Sequence, residues 1–159
     1  MGAKGEALAK QYEAKVQEAT KVIERLSDAD WKKTTAAEKW PVGVVAHHIA
    51  TGHAGISGIV KTVAGGGSNS DFTMKMLDEM NANHARDFAG CTKSETLQLH
   101  RDNAAAAAAL VRGLGDADLA RSGTVLKEMP AMTAEQVVAG ILINHIDEHV
   151  ASIRATVGG

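Results

Sequence analysis

Five stretches of the chain place apolar residues at steps of three and four, and this spacing limits the fold more than any other feature. Such a stripe is typical of an amphipathic α-helix that packs one face against a core. The five stretches cover residues 5–26, 41–63, 73–88, 92–114 and 133–156. No convincing strand, internal repeat or domain linker separates them. We therefore predict an all-α fold in a single domain over residues 1–159, with four long helices in a bundle and one extra short helix.

Local signals mark the ends of these helices. Pro41 suits the first position of a helix, and the stretches TKSE (92–95) and TAEQ (133–136) both have the form of a capping box. The glycine-rich stretch 64–70 predicts a flexible loop. The remaining connections are predicted to be a turn at SDADW (27–31) and an irregular segment over 115–132.

Composition excludes several classes of protein. The formal net charge is -2, and no basic stripe with stacking aromatics points to nucleic acid. No apolar run approaches the roughly 20 residues of a membrane helix, and the charged N-terminal stretch lacks the apolar region of a secretory signal. A single cysteine, Cys91, excludes an internal disulfide and fits a reducing compartment. We expect a cytoplasmic protein that acts on a small molecule.

Two histidines four residues apart lie near the end of the chain. His145 and His149 fall on the apolar stripe of the last predicted helix, where their Cβ atoms would be about 6 Å apart. One metal ion can bridge such a pair, since zinc lies about 2.0–2.1 Å from each ligating nitrogen. The alternative is that both are hydrogen-bonded core residues, although two buried imidazoles need several polar partners.

His48 provides a third candidate ligand. It lies on the apolar stripe of the second helix, and a bundle that pairs this helix with the last one would aim all three histidines at one point. Three imidazoles leave coordination positions open, as in catalytic sites, whereas a structural zinc site has four protein ligands.

The other histidines are not predicted to be ligands. His47 is about 100° around the helix from His48, so we expect it at the surface or at the rim of the site. His53, His84 and His100 are expected to be near the pocket or exposed.

Two other metal-site patterns do not fit the sequence. HIDEH (145–149) matches the H-x-x-E-H motif of inverted zinc proteases, with Glu148 as base. Those enzymes take a third ligand from far downstream, and too little chain follows His149. A ferritin-like di-iron bundle needs Glu-x-x-His on two helices, and this sequence contains no Glu-x-x-His.

Three motifs resemble those of the DinB/YfiT-like superfamily. KWPVGVVAHHIA (39–50) is similar to the family's tryptophan followed eight residues later by a ligand histidine, which falls on His48. MLDEMNANHA (76–85) resembles its Asp-x-x-Asn segment, and NHIDEHVASIR (144–154) resembles its closing His-x-x-x-His helix. The three motifs follow one another in the family's order over nearly the whole chain.

The resemblance implies a four-helix bundle with long crossover connections, often as a homodimer. It implies one divalent metal, nickel or zinc, held by His48, His145 and His149. Some relatives use a low-molecular-weight thiol such as mycothiol, bacillithiol or glutathione for S-transfer or isomerisation. The mycothiol-dependent isomerase branch has a glutamate in place of one of the paired histidines, whereas this sequence has histidine at both positions.

Three functions remain open from the sequence. The metal could activate a thiol for transfer to an electrophile, it could activate water for hydrolysis, or the bundle could be a non-catalytic metal-binding or interaction protein. The catalytic residues are not identified. Asp78, Asn81 and Asn144 are candidates for orienting a ligand, with capping or surface polarity as the alternative, and Glu148 is expected on a solvated face.

Overall fold

The computed structural model describes residues 2–159, and it confirms the predicted all-α bundle. The five stretches with helical spacing are all helical. In chain order the elements are α1 (Ala3–Glu24), α2 (Asp28–Lys32), α3 (Val42–Ala64), α4 (Met74–Asp87), α5 (Lys93–Arg112), α6 (Asp116–Ala120), β1 (Ser122–Gly123), β2 (Met132–Thr133), α7 (Ala134–Val137), a π-helical segment (Val138–Ile143) and α8 (Asn144–Val157). Within residues 2–159, no helix combines the length and the apolar character that crossing a bilayer requires.

Two connections are more ordered than the sequence predicted. Residues 27–31, expected as a turn, start the short helix α2, because Ser27 and Asp30 form a reciprocal capping box. The segment 115–132, expected to be irregular, contains α6 and then β1, which pairs antiparallel with β2. Strands of two residues carry no periodicity, so this small ribbon could not be found from the sequence.

Helices α1, α3, α5 and the last helix form the bundle, and their facing sides make one aliphatic core. Tyr12 and Ile23 of α1 are fully buried in it. The alanine-rich stretch of α5 contributes Ala104, Ala107 and Ala108, all buried. Small side chains at these positions let the helix axes come close together.

Helix α4 lies outside the bundle. It has no buried residue, and Thr73 caps its start by accepting a hydrogen bond from the Met76 amide. Several large apolar side chains on and beside it are exposed, including Met76 and Met80, the latter 57% accessible. The inner side of α4 faces α3, so the helix acts as a wall added to the bundle.

The last helix is continuous from Ala134 to Val157 but changes its winding. The predicted capping box forms, with Thr133 and Gln136 each bonding the other's backbone amide. The π-helical segment follows and widens one part of the helix before α8 begins. Such segments often occur at functional sites.

The buried stripe of the last helix differs from the predicted one. Leu142, Ile146, Val150 and Ile153 face the core, and Ile146 and Val150 were not expected there. The expected stripe instead ran through His145 and His149. These two side chains lie at the edge of the core stripe, half-buried and turned toward α3. This position leaves them open to a cavity instead of sealing them in the core.

Candidate metal centre

Three histidines meet between α3 and α8. His48 comes from the first half of α3, and His145 and His149 come from successive turns of α8. Each offers one ring nitrogen, and these atoms all lie within 4.8 Å of one another. The Nε2 atoms of His48 and His145 are 3.0 Å apart. The structure therefore brings together the three residues that the sequence predicted as metal ligands, and the group could hold a metal ion.

The protonation state of this three-histidine group suits metal binding. Burial, together with the charge of neighbouring histidines, lowers the pKa of His48 to about 3 and that of His145 to about 2. Both rings are therefore neutral at pH 7, which is the form that ligates a metal. Nitrogen donors of this kind suit zinc, nickel and copper. The donor set fits the metal that the resemblance implies.

Glu38 bonds His149, the third candidate ligand, and sequence reasoning missed this carboxylate. Its Oε2 lies 2.7 Å from Nδ1 of His149, and its Oε1 accepts a hydrogen bond of 2.5 Å from the hydroxyl of Ser152. Burial acts to raise the pKa of Glu38, but the hydrogen bonds from Ser152 and His149 outweigh it and leave the pKa below its usual value. The ionised carboxylate accepts from Nδ1–H, so Nε2 of His149 keeps its lone pair for a metal.

A glycine allows the two helices to approach at the site. A Cβ atom on Gly52 would lie 2.5 Å from Cε1 of His145. Only glycine therefore fits one turn after His48 while the imidazole of His145 keeps its place. This close contact also fixes the side of α3 on which the group forms.

His47 does not lie at the surface or rim as predicted. It is only 6% exposed, because α4 and the residue after it cover this side of α3. Its ring stacks on Phe88, and its Nδ1 lies 2.7 Å from Nε2 of His84. Burial lowers the pKa of both rings, that of His84 to about 4. Nδ1 of His84 is buried without a hydrogen-bond partner among residues 2–159.

His53 and His100 are neither exposed nor part of the three-histidine group. They lie in the core in a chain of hydrogen bonds, in which the hydroxyl of Tyr12 is 2.6 Å from Nδ1 of His53. Nε2 of His53 is 2.9 Å from Nδ1 of His100, whose Nε2 is 2.9 Å from the hydroxyl of Thr20. The chain ties α1, α3 and α5 together and satisfies two fully buried imidazoles.

A cavity of about 850 Å³ opens beside the three-histidine group. Asp78 and Asn81, which the sequence singled out, are on its wall. Asn144 and Glu148 are not: they are exposed and bond each other at 2.9 Å, so Glu148 lies on a solvated face as expected. Of the three candidates for orienting a ligand, the structure thus places Asp78 and Asn81 on the cavity wall and Asn144 away from it.

Cys91 is held by hydrogen bonds to neighbouring elements. Its thiol donates to the carbonyl oxygen of Gly43, and its own carbonyl oxygen accepts a hydrogen bond from the Trp31 indole at 2.9 Å. Burial raises the pKa of the thiol. A raised pKa disfavours the thiolate, so these contacts favour an incidental thiol over a nucleophile.

The fold and the site together define a helical bundle with a three-histidine group that could hold a metal ion at the head of a cavity. The chain belongs to the DinB superfamily, whose family model matches residues 11–153. No curated protein sequence matches the chain significantly.

Solved structures similar to this chain share its fold at low sequence identity. One is the mycothiol-dependent maleylpyruvate isomerase, at 10% identity and a TM-score of 0.74, with 94% of this chain and 60% of that chain covered. A mutant of that isomerase matches with the same TM-score and coverage at 9% identity. Another is YfiT from Bacillus subtilis, described as a probable metal-dependent hydrolase with an unusual four-helix bundle topology, at 22% identity and a TM-score of 0.71, with 96% of this chain and 83% of that chain covered. The chain thus spans about 60% of the length of the isomerase chains.

Proposed function

We propose that this protein is a metal-dependent enzyme that activates a low-molecular-weight thiol for transfer to an electrophilic small molecule. His48, His145 and His149 would hold one divalent ion, nickel or zinc. The observation that carries the proposal is the position of three imidazoles at one end of a cavity of about 850 Å³, large enough for two small reactants.

The ligand count favours catalysis over a structural role. Among the histidine, cysteine and carboxylate side chains of residues 2–159, the group that could share one ion consists of these three histidines. A closed structural site would use a fourth protein ligand. When bound, the ion supplies a positive charge that favours the deprotonated form of a thiol or of a water molecule.

The protein's own contribution is to orient these ligands and to limit access of water. Glu38 fixes the tautomer and the rotation of the His149 ring, and Ser152 holds the carboxylate. Helix α4 covers the cavity from outside, so a bound reactant would lose much of its contact with solvent. His84 is also on the cavity wall, where its ring could contact a reactant.

Hydrolysis is the second candidate. It would use the same ligands with water as nucleophile, and the likeness to YfiT, a probable metal-dependent hydrolase, favours it. The likeness to a mycothiol-dependent isomerase favours the thiol. A non-catalytic metal-binding or interaction bundle is the third candidate, and the cavity argues against it because a purely structural site needs no space for a reactant.

Metal content is the first test. Protein purified without a histidine tag is analysed for metals as wild type and as His149→Ala. His100→Gln serves as the control, because it also removes a histidine but lies in the separate chain of Tyr12 and His53. We expect about one nickel or zinc per chain in wild type and in the control, and none in His149→Ala. An absence of metal in the wild type, together with no uptake on titration, would refute the proposal.

Turnover with and without thiol distinguishes the two reactions. The metal-loaded protein is offered alkyl halides, epoxides and activated esters, each in the presence and absence of glutathione, bacillithiol or mycothiol. Product that depends on thiol supports S-transfer. Ester cleavage that is independent of thiol supports the hydrolase, and failure of all substrates with a metal-loaded site supports the non-catalytic role.

We also infer a homodimer in a reducing, cytoplasmic compartment. The half-buried free thiol of Cys91 supports a reducing compartment. Light scattering of the purified protein tests the dimer, and a single-chain mass would contradict it.

A further inference from the structure

The cavity is elongated, and the residues of α3 on its wall give its length. Its wall includes His48 near one end of the exposed side of α3 and Ile59 near the other. These residues are eleven positions apart, which corresponds to about 16 Å along a helix at 1.5 Å per residue. A ligand that fills the cavity is therefore extended, and only its head can reach the three-histidine group.

The last helix runs antiparallel to α3 along this wall. His149 contacts His48, whereas His145 also lies against Gly52, one turn further along α3. Ile141, one turn before His145, therefore faces the later part of α3. The cavity wall continues from histidines into apolar side chains on both helices.

Two loops supply apolar side chains at the end of the cavity far from the histidines. The backbone amide of Lys127 donates to the carbonyl oxygen of Phe72 at 2.9 Å, and that of Asn69 donates to Thr124 at 2.7 Å. These bonds hold the loop before α4 against the segment after β1. Apolar side chains from both loops line this end: Phe72, Val125 and Leu126.

Charge is distributed unevenly along the cavity. The charged side chains on its wall are two carboxylates, Glu38 and Asp78, and no lysine or arginine is among the described lining residues. Glu38 is at the histidine end, where it bonds His149. No cationic side chain on the described lining would compensate an anionic tail. Asp78 is the only charged lining residue away from the histidine end, and the side chains around the tail are otherwise apolar, so an uncharged tail is favoured there.

We propose that the cavity takes an amphipathic small molecule, with a polar head at the three-histidine group and an uncharged aliphatic or aromatic tail between Ile56, Ile59 and Leu126. The position of the head rests on the proposed function, since it is the metal that would hold it. The position of the tail rests on the apolar lining alone. The electrophile of the proposed reaction is then an apolar compound with one reactive end.

Two glycines of α3 provide a matched pair of variants. Gly55 is on the cavity wall between the histidine and apolar ends, and a Cβ there would have no heavy atom within 4 Å. Gly58 has equally open surroundings but lies in a separate groove with Lys61 and Asn103. Gly55→Leu would obstruct the cavity and Gly58→Leu would not. Both replace glycine in a helix by a better helix former, so both should fold.

The tail is tested on metal-free protein with the neutral dye Nile red, followed by its fluorescence in the presence of a chelator. We expect saturable binding to wild type, about 10-fold or more weaker binding to Gly55→Leu, and binding within about twofold of wild type for Gly58→Leu. Absence of binding, or equal binding by all three proteins, would overturn the proposal for the tail.

The head is tested on zinc-loaded protein with alkyl hydroxamates, which ligate metals through a polar head of constant structure. Octanohydroxamate should bind at least about 100-fold more tightly than acetohydroxamate, because each buried methylene group favours binding. Gly55→Leu should remove this gain and Gly58→Leu should keep it. Equal affinity for both chain lengths would overturn the inference and leave the proposed function standing. Failure to take up either zinc or nickel, with Nile red binding intact, would refute the proposed function and leave the apolar tail site.

Discussion

Nδ1 of His149 donates a hydrogen bond to Oε2 of Glu38 at 2.7 Å, joining residues 111 positions apart in the sequence. The bond connects α8 to the loop that precedes α3. One contact thus sets both the orientation of a ligand ring and the position of the chain that enters the helix carrying His48. We expect its loss to affect the site more than the stability of the fold.

Glu38→Ala is predicted to weaken metal binding about 10- to 100-fold, because the His149 ring loses the group that fixes its tautomer and rotation. The dissociation constants of zinc and nickel measured by competition with a chromophoric chelator check this. Glu148→Ala is the matched control, since that carboxylate is adjacent to His149 in sequence but is exposed and bonds Asn144. Equal affinities in the two variants would contradict a positioning role for Glu38.

Gly52→Ala is predicted to lower both metal affinity and stability. The added methyl group would lie 2.5 Å from Cε1 of His145, so the imidazole must move away from His48. We expect a destabilisation of about 1–3 kcal/mol and at least about a 10-fold weaker metal complex. Gly58→Ala, which meets no atom within 4 Å, should bind metal normally. Metal titration and urea unfolding of both variants measure the two effects.

Acid is predicted to destabilise the metal-free protein through His53. Burial, with a contribution from His100, lowers the pKa of His53 from its ordinary value of 6.5 to about 3. Between these values the unfolded chain binds a proton that the folded chain excludes. The stability contributed by neutral His53 is therefore complete above pH 6.5 and decreases as the pH falls toward 3. The imidazole of His53 is hydrogen-bonded to Tyr12 from α1 and to His100 from α5. The other titratable group near it is His145 from α8.

The slope of stability against pH is the measurement. Urea unfolding of the wild type with a chelator, from pH 7 to pH 4, should show a decrease in the free energy of unfolding that is steeper than in His53→Gln. The difference should be on the order of 1 kcal/mol per pH unit. Each protein is compared with itself at pH 7, so a lower overall stability of the variant does not affect the result. Parallel curves would show that His53 does not titrate in this way.

Metal is predicted to stabilise the fold by mass action. At a zinc concentration of about 100 times the dissociation constant, the free energy of unfolding should rise by about 2.7 kcal/mol, since the unfolded chain has no preformed site. For a domain of this size the melting temperature should rise by about 8 °C. Calorimetry with zinc and with a chelator checks this. The same rise in His48→Ala would mean that zinc binds elsewhere.

The sequence predicted that these three histidines would meet because their signal is local. His145 and His149 are one helical turn apart, and His48 lies on the apolar side of a strongly periodic helix. Glu38 lies in a loop without periodicity, and only the packing of that loop against α8 brings it to His149. A search for carboxylates near each ligand helix, guided by the rule that ligating imidazoles donate their second nitrogen, would have placed it among the candidates.

The errors have physical causes as well. The position of His47 was predicted from the rotation of one helix, and its burial depends on α4, whose packing cannot be read from α3 alone. The reciprocal bonds of Ser27 and Asp30 were visible as an S-x-x-D pattern, but the helix they start is only five residues long and carries no repeat. The buried stripe of the last helix was displaced because the π-helical segment does not follow the α-helical period.

The π-helical segment makes the site depend on an exact residue count. Thr133 fixes the start of the last helix, and the number of residues from there to His145 sets the direction of both ligand rings. Deleting one residue from the α-helical part of this interval, such as Val137, would turn His145 and His149 by about 100° relative to the capped start, while all three histidines remain in the chain. Insertions and deletions, which loops tolerate, would therefore disrupt the site if they occurred in this part of the chain.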